Sequence, residues 1–316
     1  MNRKTISIII PNYNYSKYLK QSINSILFQA RKPDQLIIID DGSTDDSVKI
    51  IEELIKDIPF AVLLKNKTNM GIECSLNKAL EFNTKDYIGF MASDDIKSHD
   101  FIYEMMKFVE ENSDIAICCS LPAFFKNHKD VWADNFNTFE KKIFDPETLI
   151  DVMKSTKFWM ASHTCIYQAS KLNQRSFDSE LRHHSDWYTV LDIAFKNKVG
   201  FIPKALAFMR VHAFAYSRQE KKYSELKKIY SALFNKIERE NEVFKQKIIN
   251  SRSLSALDSA MFIFLLFRLK YWKYLPTFVV GKIIRFNNRA KNKVLKLFNI
   301  KSKNVSALSI KCFEDI

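Results

Sequence analysis

The chain has 316 residues, 47% of them hydrophobic, enough for one large domain or a domain with an appendage, so wholesale disorder is excluded. Its five glycines, Gly42, Gly71, Gly89, Gly200 and Gly281, cannot assemble a Gly-x-Gly-x-x-Gly fingerprint or a P-loop, which excludes both phosphate-binding devices. The net charge of +13 is concentrated: residues 251–316 hold 13 Lys and Arg against 3 acids, leaving the first 250 residues nearly neutral.

The predicted elements begin at once. Ile6 to Ile10 is a first, central strand that Pro11 is expected to stop. Tyr18, Leu19, Ile23, Ile26 and Leu27 recur at helical spacing within Lys17 to Phe28. Leu36 to Ile39 reads as a second strand, and Asp45 or Asp46 caps a helix through Val48, Ile51 and Leu54. A short strand at Ala61 to Leu64, a helix at Gly71 to Phe82 and a strand at Tyr87 to Met91 follow. Next come a helix at Phe101 to Glu111 and a strand at Ile115 to Ser120. Lys126 to Phe144 is less regular and carries Trp132, Phe136 and Phe139. Helices near Pro146 to Ser155 and Ser185 to Lys196 precede a short strand at Val199 to Pro203. Alternating strands and helices imply βαβ units and a mainly parallel sheet. From Lys221 the pattern turns helical and charged, so the boundary is placed near 218, with a first domain at 1–218 and a helical, basic region at 219–316.

Two acidic clusters end apolar runs: Ile39-Asp40-Asp41-Gly42-Ser43-Thr44-Asp45 and Phe90-Met91-Ala92-Ser93-Asp94-Asp95. Parallel strands deliver polar groups to the carboxyl edge of the sheet, where open α/β sheets bind ligands. Adjacent carboxylates repel unless a cation, a donor or water compensates them, so two pairs suggest a metal and a nucleotide. Pro11-Asn12-Tyr13-Asn14 suits a flat base held by stacking and amide hydrogen bonds, and equally suits an Asn-rich turn. Asp40 or Asp41 can accept from a base N–H or a ribose hydroxyl. Ser93-Asp94-Asp95 is the candidate metal site, because a departing diphosphate needs the neutralising charge of Mg²⁺ or Mn²⁺; a helix cap is the plainer alternative. Asp186, in His183-His184-Ser185-Asp186-Trp187, can take a proton from an incoming hydroxyl or merely cap its helix. The paired histidines lack the spacing of a helical zinc site. Arg210-Val211-His212 offers a cation and an imidazole to phosphate or metal.

In this order the motifs resemble the family 2 glycosyltransferases of the GT-A fold, from Thr5 to about Ser217, with Asn69-Met70-Gly71 as a further shared element. The resemblance implies a Rossmann-like α/β domain with a C-terminal helical extension, and inverting transfer of a sugar from a nucleotide-diphosphate donor, a UDP-sugar, to an acceptor hydroxyl. It implies that Pro11, Tyr13 and Asp40 or Asp41 hold the nucleoside, with Asn12 and Asn69 beside them. Asp94 and Asp95 correspond to the metal motif with Ser93, Asp186 to the general base, and Arg210 and His212 to late phosphate or metal contacts. Three positions depart from the family pattern: Ala92 replaces the first acid of Asp-x-Asp, Ser185 the Glu of the base motif, and Leu76 a common Arg, with Lys78 nearby. Donor selectivity is expected from the loop after Asp95 and from Trp159 to His163. The alternatives are a nucleotidyltransferase, which would usually want a Gly-rich loop after the first strand where Pro11-Asn12-Tyr13-Asn14 stands, and a non-catalytic sugar-nucleotide-binding scaffold, which would be expected to have lost acids such as Asp94, Asp95 or Asp186, all present here.

The five cysteines form neither a disulfide framework nor a metal spacing and suit a reducing compartment. The N-terminus enters its first strand too quickly for a signal peptide, and no apolar run reaches the roughly 18 residues of a spanning helix. A cytoplasmic enzyme is the expectation. Ala260 to Phe267, Phe278 to Val280 and Val294 to Phe298, set among lysines and arginines, suit the inner face of an anionic membrane and so a glycan or lipid-linked acceptor. The same helices equally suit packing on the catalytic core or on a second copy of the chain. No nucleic-acid recognition motif accompanies the charge.

Overall fold

The computed structural model describes residues 3–297 apart from 113, 134–139, 157, 173–176 and 213–221, with side chains as far as 287. Phe136, Phe139, the boundary expected near 218 and the side chains of Val294 to Phe298 lie outside that set. The first elements alternate: β1 (Ile6–Asn12), α1 (Ser16–Leu27), β2 (Gln35–Asp40), α2 (Ser47–Ile55), β3 (Ala61–Lys65), α3 (Ile72–Glu81) and β4 (Tyr87–Phe90). Then come β5 (Ile96–Lys97), α4 (Phe101–Glu111), β6 (Ile115–Asn127), β7 (Asp130–Ala133), β8 (Lys142–Phe144), α5 (Pro146–Ser155) and β9 (Cys165–Gln168). The short α6 (Ala169–Leu172), then α7 (Ser185–Ala194) and β10 (Lys198–Arg210), complete the sheet region. The remaining helices are α8 (Tyr223–Arg239), α9 (Glu242–Ser251), α10 (Ala260–Leu266) and α11 (Leu275–Leu297), with a 3-10 segment, Leu269–Tyr274, before the last.

The ten strands form one mixed sheet in the order β3-β2-β1-β4-β9-β6-β10-β5, with β7 added to β6 and β8 to β10. The first four strands are parallel, as βαβ units require. β9, invisible to local periodicity, then runs antiparallel between β4 and β6. Because β2 and β4 flank β1 on opposite sides, the loops after these three strands part at their carboxyl ends and open a crevice there.

Three strands outrun their sequence boundaries, each for a pairing reason. Pro11 does not stop β1, because pairing with β4 ends at Ile9 and only β2 accompanies the strand on to Asn12. β6 continues through Pro122, which falls between the end of pairing with β9 at Cys119 and the start of pairing with β7 at Ala123. A proline's missing N–H costs least where no neighbour needs it. β10 continues past Pro203 by a shift in register against β6 between Ile202 and Ala205 and runs on to Arg210.

Side chains alternate between two faces. Ile8, Ile10, Leu36 and Ile38 pack under α1, α2 and α4, while Ile9, Ile37, Ile39 and Ile88 face α3, α5 and α7. Tyr230, Phe234, Phe244, Phe264, Tyr274 and Phe278 belong to that second cluster, so α8 to α10 and the start of α11 pack on the same core. The Tyr188 hydroxyl donates to Glu240 at 2.7 Å, and Lys236 pairs with Asp178 at 2.7 Å across the same junction.

Candidate active site

At the ends of β1 and β2 the buried acids are fully engaged by internal donors. Asp40 accepts from Asn12 Nδ2 at 2.8 Å, Ser43 N at 2.8 Å and the Ser43 hydroxyl at 2.6 Å. Asp41 accepts from Asn66 Nδ2 at 2.8 Å, Met70 N at 2.9 Å and Gly71 N at 2.8 Å. Repulsion between the neighbours is answered by two separate donor sets. Gly42 makes the turn between them at φ +74°, where a Cβ would stand 2.7 Å from the Thr68 carbonyl carbon, so no other residue fits. Asn14, at φ 56°, accepts from Thr44 N at 2.8 Å and donates its own N–H to Ser43. Asn69 accepts from Gly71 N at 3.0 Å. Pro11 is half-buried and Tyr13 presents its ring to solvent, 40% exposed, at the rim of the crevice. Asp46 stands just before α2 but its side chain caps nothing; the Asp45 carboxylate instead accepts from Ser47 N at 3.0 Å and from Ser16 N at 3.0 Å, tying α2 to α1.

The second acidic pair meets the end of β10. β5 pairs antiparallel with β10, Ile96 opposite Phe208, and this sets Asp94 and Asp95 against residues 115 to 118 positions away. Asp94 Oδ2 and His212 Nε2 lie 2.8 Å apart. Asp95 turns aside to accept from Arg210 N at 2.8 Å, while Arg210 Nε donates to the Asp94 carbonyl at 2.8 Å. The Arg210 guanidinium also bonds Gln21 and lies over the Tyr18 and Phe125 rings at 4.8 and 4.3 Å. Tyr18 and Tyr15 flank the His212 ring, at 5.0 and 6.0 Å. Ser93 is buried beside them. Behind the pair lies Lys97, 1% exposed, which bonds the His163 carbonyl and the face of Phe101. Burial raises the Asp95 carboxyl above its usual range, with Asp94 adding to the rise, and burial lowers Lys97 to about 7.

Asp186 opens α7, its Oδ1 accepting from Trp187 N at 2.7 Å. Its carboxyl keeps solvent contact, yet protein closes around it enough that desolvation, with the nearby Glu73 charge, pushes it up to about 6. Glu73, itself 5% exposed, stands two residues after the Gly71 N–H that Asp41 accepts, so the loops tied by Asp41 and Asp186 share one edge. On the other side Tyr167 feels the Asp186 charge and donates to Ser162 at 3.0 Å, one residue before His163. Contacts thus run from Lys97 beside Asp95, through residues 162–167, to Asp186.

The model of glycosyl transferase family 2 matches residues 7–177, more than half of the chain and the strands that carry both acidic pairs. The chain belongs to glycosyl transferase family 2. An uncharacterized glycosyltransferase of Haemophilus influenzae is 41% identical over 112 residues, 35% of this chain and 45% of that one. The minor teichoic acid biosynthesis protein GgaB of Bacillus subtilis is 28% identical over 220 residues, 67% of this chain and 24% of its own length. The chain therefore spans less than half the length of these curated relatives. Among solved structures, S. aureus TarS in complex with UDP-GlcNAc superposes with a TM-score of 0.62 at 17% identity, covering 88% of this chain and 79% of that one. A mannosyltransferase of Pyrobaculum calidifontis in complex with GDP-Man and Mn²⁺ superposes at 0.52 and 15% identity, covering 91% and 88%. At such identities these likenesses speak for the GT-A fold alone.

Within this family 2 fold several neighbours of the site were not foreseen from the sequence. Glu73 and Lys97 look like ordinary helix and strand residues, and only the loop closure places them beside Asp186 and Asp95. Asn66 and Gln21 are single amides whose partners lie in other loops. Lys78, near the Leu76 that stands where the family pattern has an Arg, donates to Asn66 at 2.8 Å. His183, His184 and Asp258 bring ligand-type atoms within 4.8 Å of one another away from Asp94, but Asp258 Oδ1 also accepts from the Tyr230 hydroxyl and from Ala260 N.

Proposed function

We propose that this chain transfers a sugar with inversion from a UDP-sugar to the hydroxyl of a growing or lipid-linked glycan. The observation that carries the reading is the meeting of Asp94 with His212, 2.8 Å apart across 118 residues, at the edge that also holds the Asp40–Asp41 loops. A carboxylate and an imidazole so close fit one divalent cation, and the mixed donor set suits Mn²⁺ better than Mg²⁺. When bound there, Mn²⁺ would neutralise charge on the departing diphosphate.

The chain's own residues do the rest. The exposed Tyr13 ring offers a stacking face for the base, while Asp40 and Asp41 act by holding residues 12–14 and 66–71 in the shape of its pocket. Asp186 takes the proton from the acceptor oxygen as it attacks the anomeric carbon, from the face opposite the diphosphate, which is what inversion requires. A carboxyl raised to about 6 is a stronger base than an ordinary one and still ionised at neutral pH. Desolvation sets that rise, with like-charge repulsion from Glu73 adding to it, and Arg210 holds the Asp94 backbone in place. The relation to a teichoic acid biosynthesis protein supports a cell-surface polymer as the acceptor, made at the inner face of the membrane.

The decisive measurement is UDP release from a panel of sugar nucleotides with Mn²⁺ or Mg²⁺, with and without glycan acceptors. Release from one UDP-sugar, lost in Asp186→Asn while UDP still binds, supports the reading. No release from any donor, or full turnover in Asp186→Asn, overturns it.

A further inference from the structure

The three most exposed large apolar side chains among the described residues are Phe267, Leu269 and Phe286, at 76, 73 and 70%. They belong to one stretch. On α10, Phe262, Ile263 and Leu266 face outward while Met261, Phe264 and Leu265 face the core. Trp272, 48% exposed, donates its indole N–H to the Leu266 carbonyl at 3.1 Å and so stands against the end of α10. α11 packs on α10 and splits the same way. Phe278, Gly281 and Arg285 turn inward, the last bonding Ser255 at 3.0 Å, while Val280, Ile283 and Phe286 turn outward. Such a surface costs free energy in water unless something covers it.

Charge decides what covers it. From Ser259 to Phe313 the sequence has 12 Lys and Arg and no acid. Arg268 and Lys270 sit in the middle of the exposed set, and both are exposed. A second copy of the chain pairing through this face would bring those cations together with no carboxylate to answer them. A surface with an apolar interior and anionic heads answers both features. Aromatic and aliphatic side chains enter the acyl boundary while arginine and lysine reach back to phosphate.

We infer that the outer face of α10, the 269–274 segment and α11 docks this chain on an anionic phospholipid membrane, with the mouth of the active site fixed relative to the bilayer. No helix among the described residues is long and apolar enough to cross a membrane, so the contact lies in the plane of the interface. The coupling to the site is short. α10 begins two residues after Asp258, whose carboxylate lies 3.7 Å from His184 Nε2, and His184 precedes Asp186 by two residues. Tyr230 stacks on His184 at 5.9 Å and meets Phe264 of α10 edge-on at 5.4 Å. A lipid-anchored acceptor would thus be presented from the bilayer beside the residue that takes its proton. That consequence rests on the transfer reading above, whereas the docking surface does not.

The test is flotation of the full chain with vesicles of phosphatidylcholine alone or with 30% phosphatidylglycerol, without donor. Binding to the anionic vesicles, weakened by 0.5 M salt and at least tenfold weaker in Phe267→Glu/Leu269→Glu, is the expected result, with UDP-sugar hydrolysis unchanged in the variant. No binding to anionic vesicles overturns the proposal, as does equal binding by the variant. A dimer in sedimentation equilibrium that the variant dissociates, with vesicles left unbound, assigns the face to a second copy and also overturns it. Loss of hydrolysis in the wild-type chain would count against the transfer reading and leave vesicle binding to be judged by itself.

Discussion

At the carboxyl edge of the sheet, Asp40, Asp41, Asp94 and Asp95 are carboxyl groups held out of water, each with a hydrogen-bond partner in range. Across α10 and α11 the situation is reversed: Phe262, Phe267, Leu269 and Phe286 are large, apolar and uncovered. Both arrangements cost free energy in an isolated chain, and they differ in how the cost is met. A buried carboxylate must find its donors within the fold, so its geometry is tight and a single substitution is felt. An exposed apolar face is met from outside, so substituting it leaves the fold intact and alters association.

The largest effect that would break this contrast lies at Asp186. Asp186→Asn should lower kcat by roughly 10³-fold, with UDP affinity by titration calorimetry unchanged. Next comes Asp94→Asn. Loss of the partner of His212 should weaken Mn²⁺ by more than the roughly tenfold seen when even an outer-shell contact is removed, read as the Mn²⁺ concentration that restores activity after EDTA. Asp41→Asn should destabilise the chain by about 3 kcal/mol in urea denaturation, since Met70 N and Gly71 N donate to different oxygens of Asp41 and an amide NH₂ in place of either one cannot accept.

The pH dependence sharpens the same comparison. Asp186 must be ionised to accept a proton, so transfer should rise with pH through about 6 and level off above it. Stability runs the other way. With its carboxyl raised on folding, the folded chain binds more protons than the unfolded one between the usual carboxylate range and about 6. Stability from this group is therefore greatest at low pH and falls as pH rises through that window. Asp186→Asn should accordingly raise Tm at pH 7 and leave it unchanged at pH 4. The smallest effect belongs to the opposite region: Phe267→Glu/Leu269→Glu should change stability by no more than about 0.5 kcal/mol per site in urea denaturation.

Much of the catalytic half was legible along the chain, because a run such as Leu36-Ile37-Ile38-Ile39 ending in Asp40-Asp41 carries both its secondary structure and its edge position in one window. Helices such as Phe101–Glu111 and Pro146–Ser155 followed from apolar spacing for the same reason. β9 was not legible. Cys165–Gln168 is four residues long, and its strand character comes from β4 and β6, whose partner residues lie more than 40 positions away. Pro122 and Pro203 misled for a related reason: whether a missing N–H breaks a strand depends on which neighbour would have used it.

By itself the sequence determined the order of elements, the acidic pairs at strand ends and the basic character of the last helices, since each is written in adjacent residues. Only the tertiary structure decided that Asp94 faces His212 while Asp95 is drawn to Arg210, that Asp40 and Asp41 tie down the ends of other loops through Asn12 and Gly71, and which side of α10 is left uncovered. Those outcomes depend on contacts between residues some 30 to 120 positions apart, and no local preference of the chain specifies which partner a carboxylate or an apolar side chain will meet.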